Sequence, residues 1–386
     1  MISNQRKKKI AYITGTRADF GLMLPIVRAI NKSPHLDLEV YVTGIHLMKE
    51  FGLTVREVKK EFPRAKEIKV TFDGDDYKST AIFLGKFTQK ITEVLSRSKP
   101  DLVLVQGDRS EMLAIALVCL YLRIPIAHTH GGEKTGTVDE VARHAITKLA
   151  HLHFPATKNS AERIIKMGEE KNRVYIVGAP ALDVILNEKL PSKEELFKYL
   201  NIPSDKKIIL LTLHPVSEDS KSAGRYMKTV LAAVKSFGMH VVVVYPHADA
   251  GGRKIIKEIN KEKNNPLFRI FPNMPHKIFL ALEREAEVWV GNSSGAIIES
   301  TSFGLPVVNI GERQKNRDRS GNILDVEYDK KAIIAAIHKS LFDKKYRAKV
   351  KKLKNLWGDG KAAPRVLLVL EKLKITSELL NKYTTY

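Results

Sequence analysis

Among 386 residues there is one cysteine, Cys119, so no disulfide can form within the chain. That fits a reducing compartment, and a cytoplasmic location is expected. Long apolar runs are also missing. The longest one beyond the N-terminus, around Leu113 to Leu122, is too short to span a bilayer. The basic start, MISNQRKKKI, leads straight into a strand-like run with no small-residue cleavage site, so it does not read as a signal peptide. No short-period repeat or low-complexity tract is present. Two nucleotide signatures are absent as well: G-x-G-x-x-G, which argues against a dinucleotide fold of the usual kind, and G-x-x-x-x-G-K-[ST], which argues against a P-loop NTPase. Acidic residues are scarce relative to basic ones, 43 against 65, a net charge of +22. Such an excess suits either a polyanionic partner or a lysine-rich solvated surface. The lysines are scattered over helical stretches (Lys59, Lys166, Lys257, Lys351) and do not sit beside aromatics, as a nucleic-acid stacking groove requires. The reading is therefore no nucleic-acid and no membrane partner, with a basic cleft suited to a diphosphate.

What is present is an alternation of short apolar strands and amphipathic helices. Strands are expected at Ile10–Thr14, Leu38–Thr43, Leu102–Gln106, Ile124–His128, Val174–Val177, Ile208–Leu213, His240–Tyr245, Val288–Val290 and Val307–Ile310. Strands that alternate with helices imply parallel sheets covered on both faces. The polar, proline-containing stretch Asn187–Asp205 interrupts the alternation, which then restarts. The expected architecture is α/β, with two Rossmann-like doubly wound domains facing a central cleft. They should cover residues 1–186 and 187–360, followed by a helical tail at 361–386 that could pack back on the first domain.

Strand ends in this chain are polar, and ligands bind outside the carboxyl ends of strands in such folds. After the first strand, residues 15–21 read GTRADFG. Glycines there would admit a ligand close to backbone, the next helix would offer unpaired N–H groups, and Arg17 could fork onto a phosphate. Asp108 and Arg109 follow the third strand, and Asp108 is a candidate acid or base or else a helix cap. HTHGGE supplies His128 and His130, of which only one is expected to face the cleft, with Glu133 beyond. The H-x-H spacing matches no strong zinc signature, and no metal is expected. Thr137 and Glu140 have capping-box spacing; Asp139–Arg143 and Glu140–His144 have i,i+4 spacing. His151 and His153 read as structural. In the second half His214, His247 and Asp249 stand at strand ends. Ser293, Ser294 and Gly295 open a helix in a phosphate-cradling arrangement, with Glu299 on that helix and Arg313 and Arg317 nearby.

The ordered set GTRADFG, GDRSE, HTHGGE, TGTVDEVARHAITKLAHLHF, TLHP, GNSSGAIIES and GERQKNR closely resembles the hydrolysing UDP-N-acetylglucosamine 2-epimerases of sialic-acid-type sugar biosynthesis, from about Ile10 to about Asp325. The resemblance implies a glycosyltransferase-B-like architecture, a UDP-sugar in the cleft, no metal, no redox cofactor, and a homodimer or homotetramer. It places the nucleotide mainly on the second domain, at Ser293, Ser294, Glu299, Arg313 and Asn273 with His247 nearby, while Arg17 and Arg109 reach across. The implied chemistry is anti-elimination of UDP, then addition of water and inversion at C2, which yields N-acetylmannosamine. Asp108 and Asp139 match carboxylates at the sugar, His214 matches a histidine at the leaving phosphate, and Arg143 joins the substrate-binding set. Many relatives carry a carboxylate where this chain has His130. Either His130 takes that role, or Glu133 compensates, or the substrate differs. A diacetylated or GDP-linked sugar, and a glycosyltransferase on the same scaffold, are the alternatives.

Overall fold

A computed structural model describes residues 6–247 and 249–385. Twelve strands form two parallel six-stranded sheets. The first holds β1 (Lys8–Thr14), β2 (Leu36–Val42), β3 (Lys66–Glu67), β4 (Leu102–Gln106), β5 (Ile126–Thr129) and β6 (Leu152–Phe154), in spatial order 3-2-1-4-5-6. The second holds β7 (Ile208–Thr212), β8 (His240–Val244), β9 (Phe268–Phe271), β10 (Val288–Gly291), β11 (Val307–Ile310) and β12 (Ile323–Val326), in order 12-11-10-7-8-9. Each order is doubly wound and reverses beside its first strand, where such sheets open a crevice. The expected two-sheet α/β architecture is therefore present. The central strands are buried throughout, as β4 (LVLVQ) and β7 (IILLT) show, which is why they are continuous apolar runs rather than alternating ones.

One strand expectation fails. Residues 174–177 make only an isolated bridge, His153 to Val174, and the sixth strand is Leu152–Phe154 instead. That segment carries one histidine. His153 is buried and pairs with Glu169 at 3.0 Å, so a buried polar residue sits in this last strand of the sheet because its hydrogen-bond partner is built in. The C-terminal part is helical at Lys344–Val350, Ala362–Lys372 and Ser377–Leu380.

The helix Ala362–Lys372 returns to the first sheet. Val366 and Leu370 pack in one cluster with Ile10, Tyr12, Met23 and Ile26. Asp183 accepts from the backbone N–H of Ala362 and Ala363 at one helix end. At the other, Lys8 Nζ donates to the carbonyls of Leu370, Glu371 and Leu373, each at 2.7 Å. A carboxylate at the N-terminus and an ammonium at the C-terminus both complement the helix dipole.

Further on, Lys382 donates to the carbonyls of Lys148 and Ala150 and pairs with Glu169 at 2.8 Å. Burial opposes the charge on Glu169, but hydrogen bonds from His153, Lys148 and Lys382 outweigh it and hold the carboxyl down at about 2. Its folded value lies below the ordinary 4.5, so its contribution is full above that pH and fades as the pH falls toward about 2. Glu169→Gln is expected to lower the unfolding midpoint at neutral pH, with the gap from wild type closing below about pH 4.5 in a pH series of denaturant titrations. No helix among the described residues is long and apolar enough to cross a membrane.

Candidate active site

The carboxyl ends of the two sheets face one another. Between them lies a cavity of about 540 Å³, lined by Asp108, Arg109 and Asp139 from the first half and His247, Asp249, Ser294 and Arg313 from the second. A narrower recess of about 70 Å³ adjoins it, lined by Asp108, His130, Asp139, Arg143, Ser294, Arg313 and Arg317. Charged pairs cross the cleft. Arg109 Nη1 lies 3.6 Å from Asp249, Arg313 Nη2 3.9 Å from Asp139, and Arg317 binds Glu133.

The turn after β1 differs from expectation. The N–H groups of Gly15, Thr16 and Asp19 are taken within the chain, because the Asp19 carboxylate accepts from Gly15 N and Thr16 N while the Thr16 side chain accepts from Asp19 N in a full capping box. Burial raises the Asp19 carboxyl to about 6 against these bonds. Gly15 makes room for a side chain rather than a ligand: a Cβ there would lie 2.6 Å from Glu111 Oε1. Glu111 is buried and pairs with Arg109 at 3.2 Å, so Gly15 indirectly sets the guanidinium in the cleft. Gly15→Ala is expected to displace Arg109 and lower kcat/KM by up to about 10²-fold, the scale of an ångström-level misplacement, as checked by steady-state kinetics beside a thermal melt that moves little.

The helix after HTHGGE also departs from its sequence reading. No capping box forms at Thr137: its hydroxyl donates to Asp139 at 3.1 Å, and Glu140 accepts from Thr135 N at 2.6 Å. Nor do Asp139 and Arg143 pair. Arg143, almost wholly buried, donates instead to Asp108 and to the Glu133 carbonyl. Asp139 is left facing the cavity, where burial raises its carboxyl against the pull of Arg313. Glu140 and His144 do approach, at 3.7 Å.

His128 and His130 do separate, but not by strand alternation, which puts residues two apart on one face: β5 ends at Thr129 and the chain turns at His130. His128 is enclosed, with Nε2 2.8 Å from the Gly107 carbonyl and Nδ1 3.3 Å from Thr147, and burial lowers it to about 3. His130 sits just past β5 with a positive φ of 57°, an unusual conformation for a non-glycine residue. Its Nδ1 is 2.6 Å from Glu133 Oε1, and its Nε2 has no partner among the described residues although the side chain is buried at the recess. Burial disfavours ionised Glu133, yet Arg317 and His130 hold it down at about 2. Glu133 stands behind His130 and does not line either cavity.

On the opposite wall His214 and His247 stack at 4.5 Å. The backbone N–H of His247 donates to His214 Nδ1 at 3.4 Å, so the proton of the neutral ring sits on Nε2. Burial, then His247 and Arg313, pulls His214 well below its ordinary value, which makes it a neutral donor near pH 7. Ser294 faces the cavity; Ser293 is the helix N-cap and does not. Glu299 is buried against Glu283: burial and then Glu299 push the Glu283 carboxyl up, whereas burial raises Glu299 against a hydrogen bond with Glu283 that lowers it. Arg17 and Asn273 lie in a separate small cavity that His247 shares, with Asn273 donating to Glu57 at 2.8 Å. Sequence reasoning missed Glu111, Gln314 and Glu283, whose positions carry no motif of their own. Among the described residues no cluster of acidic, histidine or cysteine side chains could hold a metal.

Two doubly wound sheets with a polar cleft between their carboxyl ends are the glycosyltransferase-B-like class. The solved UDP-N-acetylglucosamine 2-epimerase of Neisseria meningitidis bound to UDP-N-acetylglucosamine shares this fold, with TM-score 0.79 at 20% identity over 95% of this chain and 100% of that one. So does the Methanocaldococcus jannaschii enzyme in complex with UDP-N-acetylglucosamine and UDP, with TM-score 0.79 at 24% identity over 94% of this chain and 99% of that one. The UDP-N-acetylglucosamine 2-epimerase profile matches residues 28–371. A hydrolysing UDP-N,N'-diacetylbacillosamine 2-epimerase of Legionella pneumophila is 38% identical over 98% of this chain and 100% of its own length. A UDP-N-acetylglucosamine 2-epimerase of Neisseria meningitidis serogroup B is 34% identical over 88% of this chain and 89% of its own. The chain belongs to the UDP-N-acetylglucosamine 2-epimerase family, within its hydrolysing nucleotide-sugar group.

Proposed function

We propose that this protein hydrolyses a UDP-linked 2-acetamido sugar with inversion at C2, UDP-N-acetylglucosamine being the substrate its motifs imply. The observation that carries this reading is His130: a buried imidazole with Nδ1 fixed by Glu133 and Nε2 unpartnered at the recess beside Asp108 and Asp139. In the first step His130 Nε2 takes the C2 proton while the C1–O bond breaks and its electron pair leaves with UDP. Arg109, Arg313 and Ser294 receive the growing diphosphate charge, and neutral His214 donates a hydrogen bond to it. Water then adds across the resulting double bond, hydroxyl to C1 and a proton to C2 on the other face. Asp139, whose carboxyl burial raises and which lines the recess, is placed to carry that proton. Asp108, held by Arg143, orients the sugar.

A second reading concerns the sugar only. Beyond Asp108 and Asp139 the large cavity is walled by Phe72, Ala81, Leu84 and Leu113. If C1 faces Arg313 and C2 faces Asp139, the far edge of the pyranose, C4 to C6, points to that wall. Apolar walls favour a 6-deoxy sugar with an acylamino group at C4, the kind of donor named for the Legionella relative.

Proton NMR in heavy water with a chelator tests both readings. Release of UDP with a free mannosamine-configured sugar deuterated at C2 is the expected result. Turnover of the 2,4-diacetamido-trideoxy donor alone selects the second reading. No release from either donor overturns the proposal.

A further inference from the structure

We propose that Arg317 is a positioning residue for proton transfer: reaching across the cleft from the second domain, it fixes Glu133, and through Glu133 the tautomer and aim of His130. The inference rests on the role given to His130 above.

The geometry divides Glu133 between two partners. Its Oε1 faces His130 Nδ1 at 2.6 Å, while Arg317 Nε, at 3.0 Å, and Nη2 both donate to Oε2. A carboxylate so clamped is an acceptor only. The proton of a neutral His130 must then sit on Nδ1, which leaves the Nε2 lone pair at the recess. Without Arg317 the carboxylate could rotate, take up a proton, or let the ring turn. Arg317 is itself held. Its Nη1 donates to Gln314 Oε1 at 2.8 Å, Gln314 donates to the Asn292 carbonyl at 3.0 Å, and the guanidinium lies 5.8 Å from the centre of the buried Trp357 ring. Every Arg317 nitrogen thus has a protein partner, and Arg317 lines the narrow recess, whereas Arg109 and Arg313 line the large cavity. Arg317 therefore acts through Glu133, while those two are placed to meet the diphosphate. The charged and titratable groups around His130 are Glu133, Arg317, His128 and Glu299, with Asp108, Asp139, Arg143 and Arg313 lining the same recess. Only Glu133 is hydrogen-bonded to the ring.

Steady-state kinetics of Arg317→Ala, Arg317→Lys and His130→Gln, read as UDP release, test this. For Arg317→Ala, kcat should fall about 10–100-fold, the usual cost of losing such a supporting partner, with KM changed little. Arg317→Lys should recover part of the loss, and millimolar methylguanidinium should raise kcat of the alanine variant only. The His130 Nδ1–H proton resonance should be displaced in Arg317→Ala as it is in Glu133→Gln. If Arg317→Ala keeps full kcat while His130→Gln is inactive, the inference fails and the proposed function stands. If kcat and KM change together, with no rescue and an unmoved Nδ1–H resonance, Arg317 is a substrate ligand or a strut and the inference is overturned. If His130→Gln is fully active, the role given to His130 falls first.

Discussion

His130→Gln is expected to lower kcat about 10²–10⁴-fold, the range for losing a positioned proton-transfer group. The glutamine amide can still donate to Glu133, so the Glu133–Arg317 contact and the domain arrangement should persist. What disappears is the lone pair at the recess. The C2 proton of a 2-acetamido sugar is weakly acidic, and elimination needs a base placed where the proton lies as UDP departs. KM should change little, because Arg109, Arg313 and Ser294, the groups proposed to receive the diphosphate, are untouched. Single-turnover kinetics, together with deuterium content at C2 of recovered substrate, measure this step. A variant of near-normal rate would move the base to Asp108 or Asp139, the two carboxylates that line the same recess.

The largest effect on stability is expected at Gly291. This residue ends β10 with φ 139°, and a Cβ there would lie 1.8 Å from the Thr212 carbonyl oxygen. The conformation alone costs a non-glycine residue roughly 1–3 kcal/mol, and the clash with backbone adds a similar amount because β7 cannot retreat from a sheet it is hydrogen-bonded into. Gly291→Ala should therefore lose several kcal/mol in denaturant unfolding. It should also misplace Asn292, which joins the halves of the second-domain site by accepting from His214 N at 2.7 Å and donating to the His214 carbonyl at 2.9 Å. A variant as stable as wild type would mean that β7 and β10 can separate locally.

The central strands were legible because burial on both faces writes itself as an uninterrupted apolar run; β4 and β11 match the expected spans to the residue. Edge strands were not. β3 is two exposed residues, Lys66 and Glu67, and β12 has only partly buried positions, so neither carries a hydrophobic signal. β6 was hidden because His153 looked foreign to a strand until Glu169, 16 residues on, supplied its partner. Candidate site residues were legible one strand end at a time, and several do meet at one cavity. Their pairings were not legible. Spacing on a helix suggested Asp139 with Arg143 and Thr137 with Glu140, whereas Arg143 binds Asp108 and Asp139 faces Arg313 across the cleft, and Thr137 and Glu140 bind the local Asp139 and Thr135 N instead. Glu133 looked like a candidate acid or base from sequence, but Arg317, 184 positions away, engages its carboxylate.

The return of helix Ala362–Lys372 to the first sheet has a consequence for biosynthesis. Val366 and Leu370 complete a cluster begun by Ile10 and Tyr12, and Lys8 caps the same helix. A nascent chain on the ribosome therefore exposes an incomplete apolar surface on its first sheet while the roughly 200 residues between β6 and this helix are made. Its second sheet draws all six strands from residues 208–326 and can close earlier. Maturation then runs against the order of synthesis: the domain translated first is the last to be sealed.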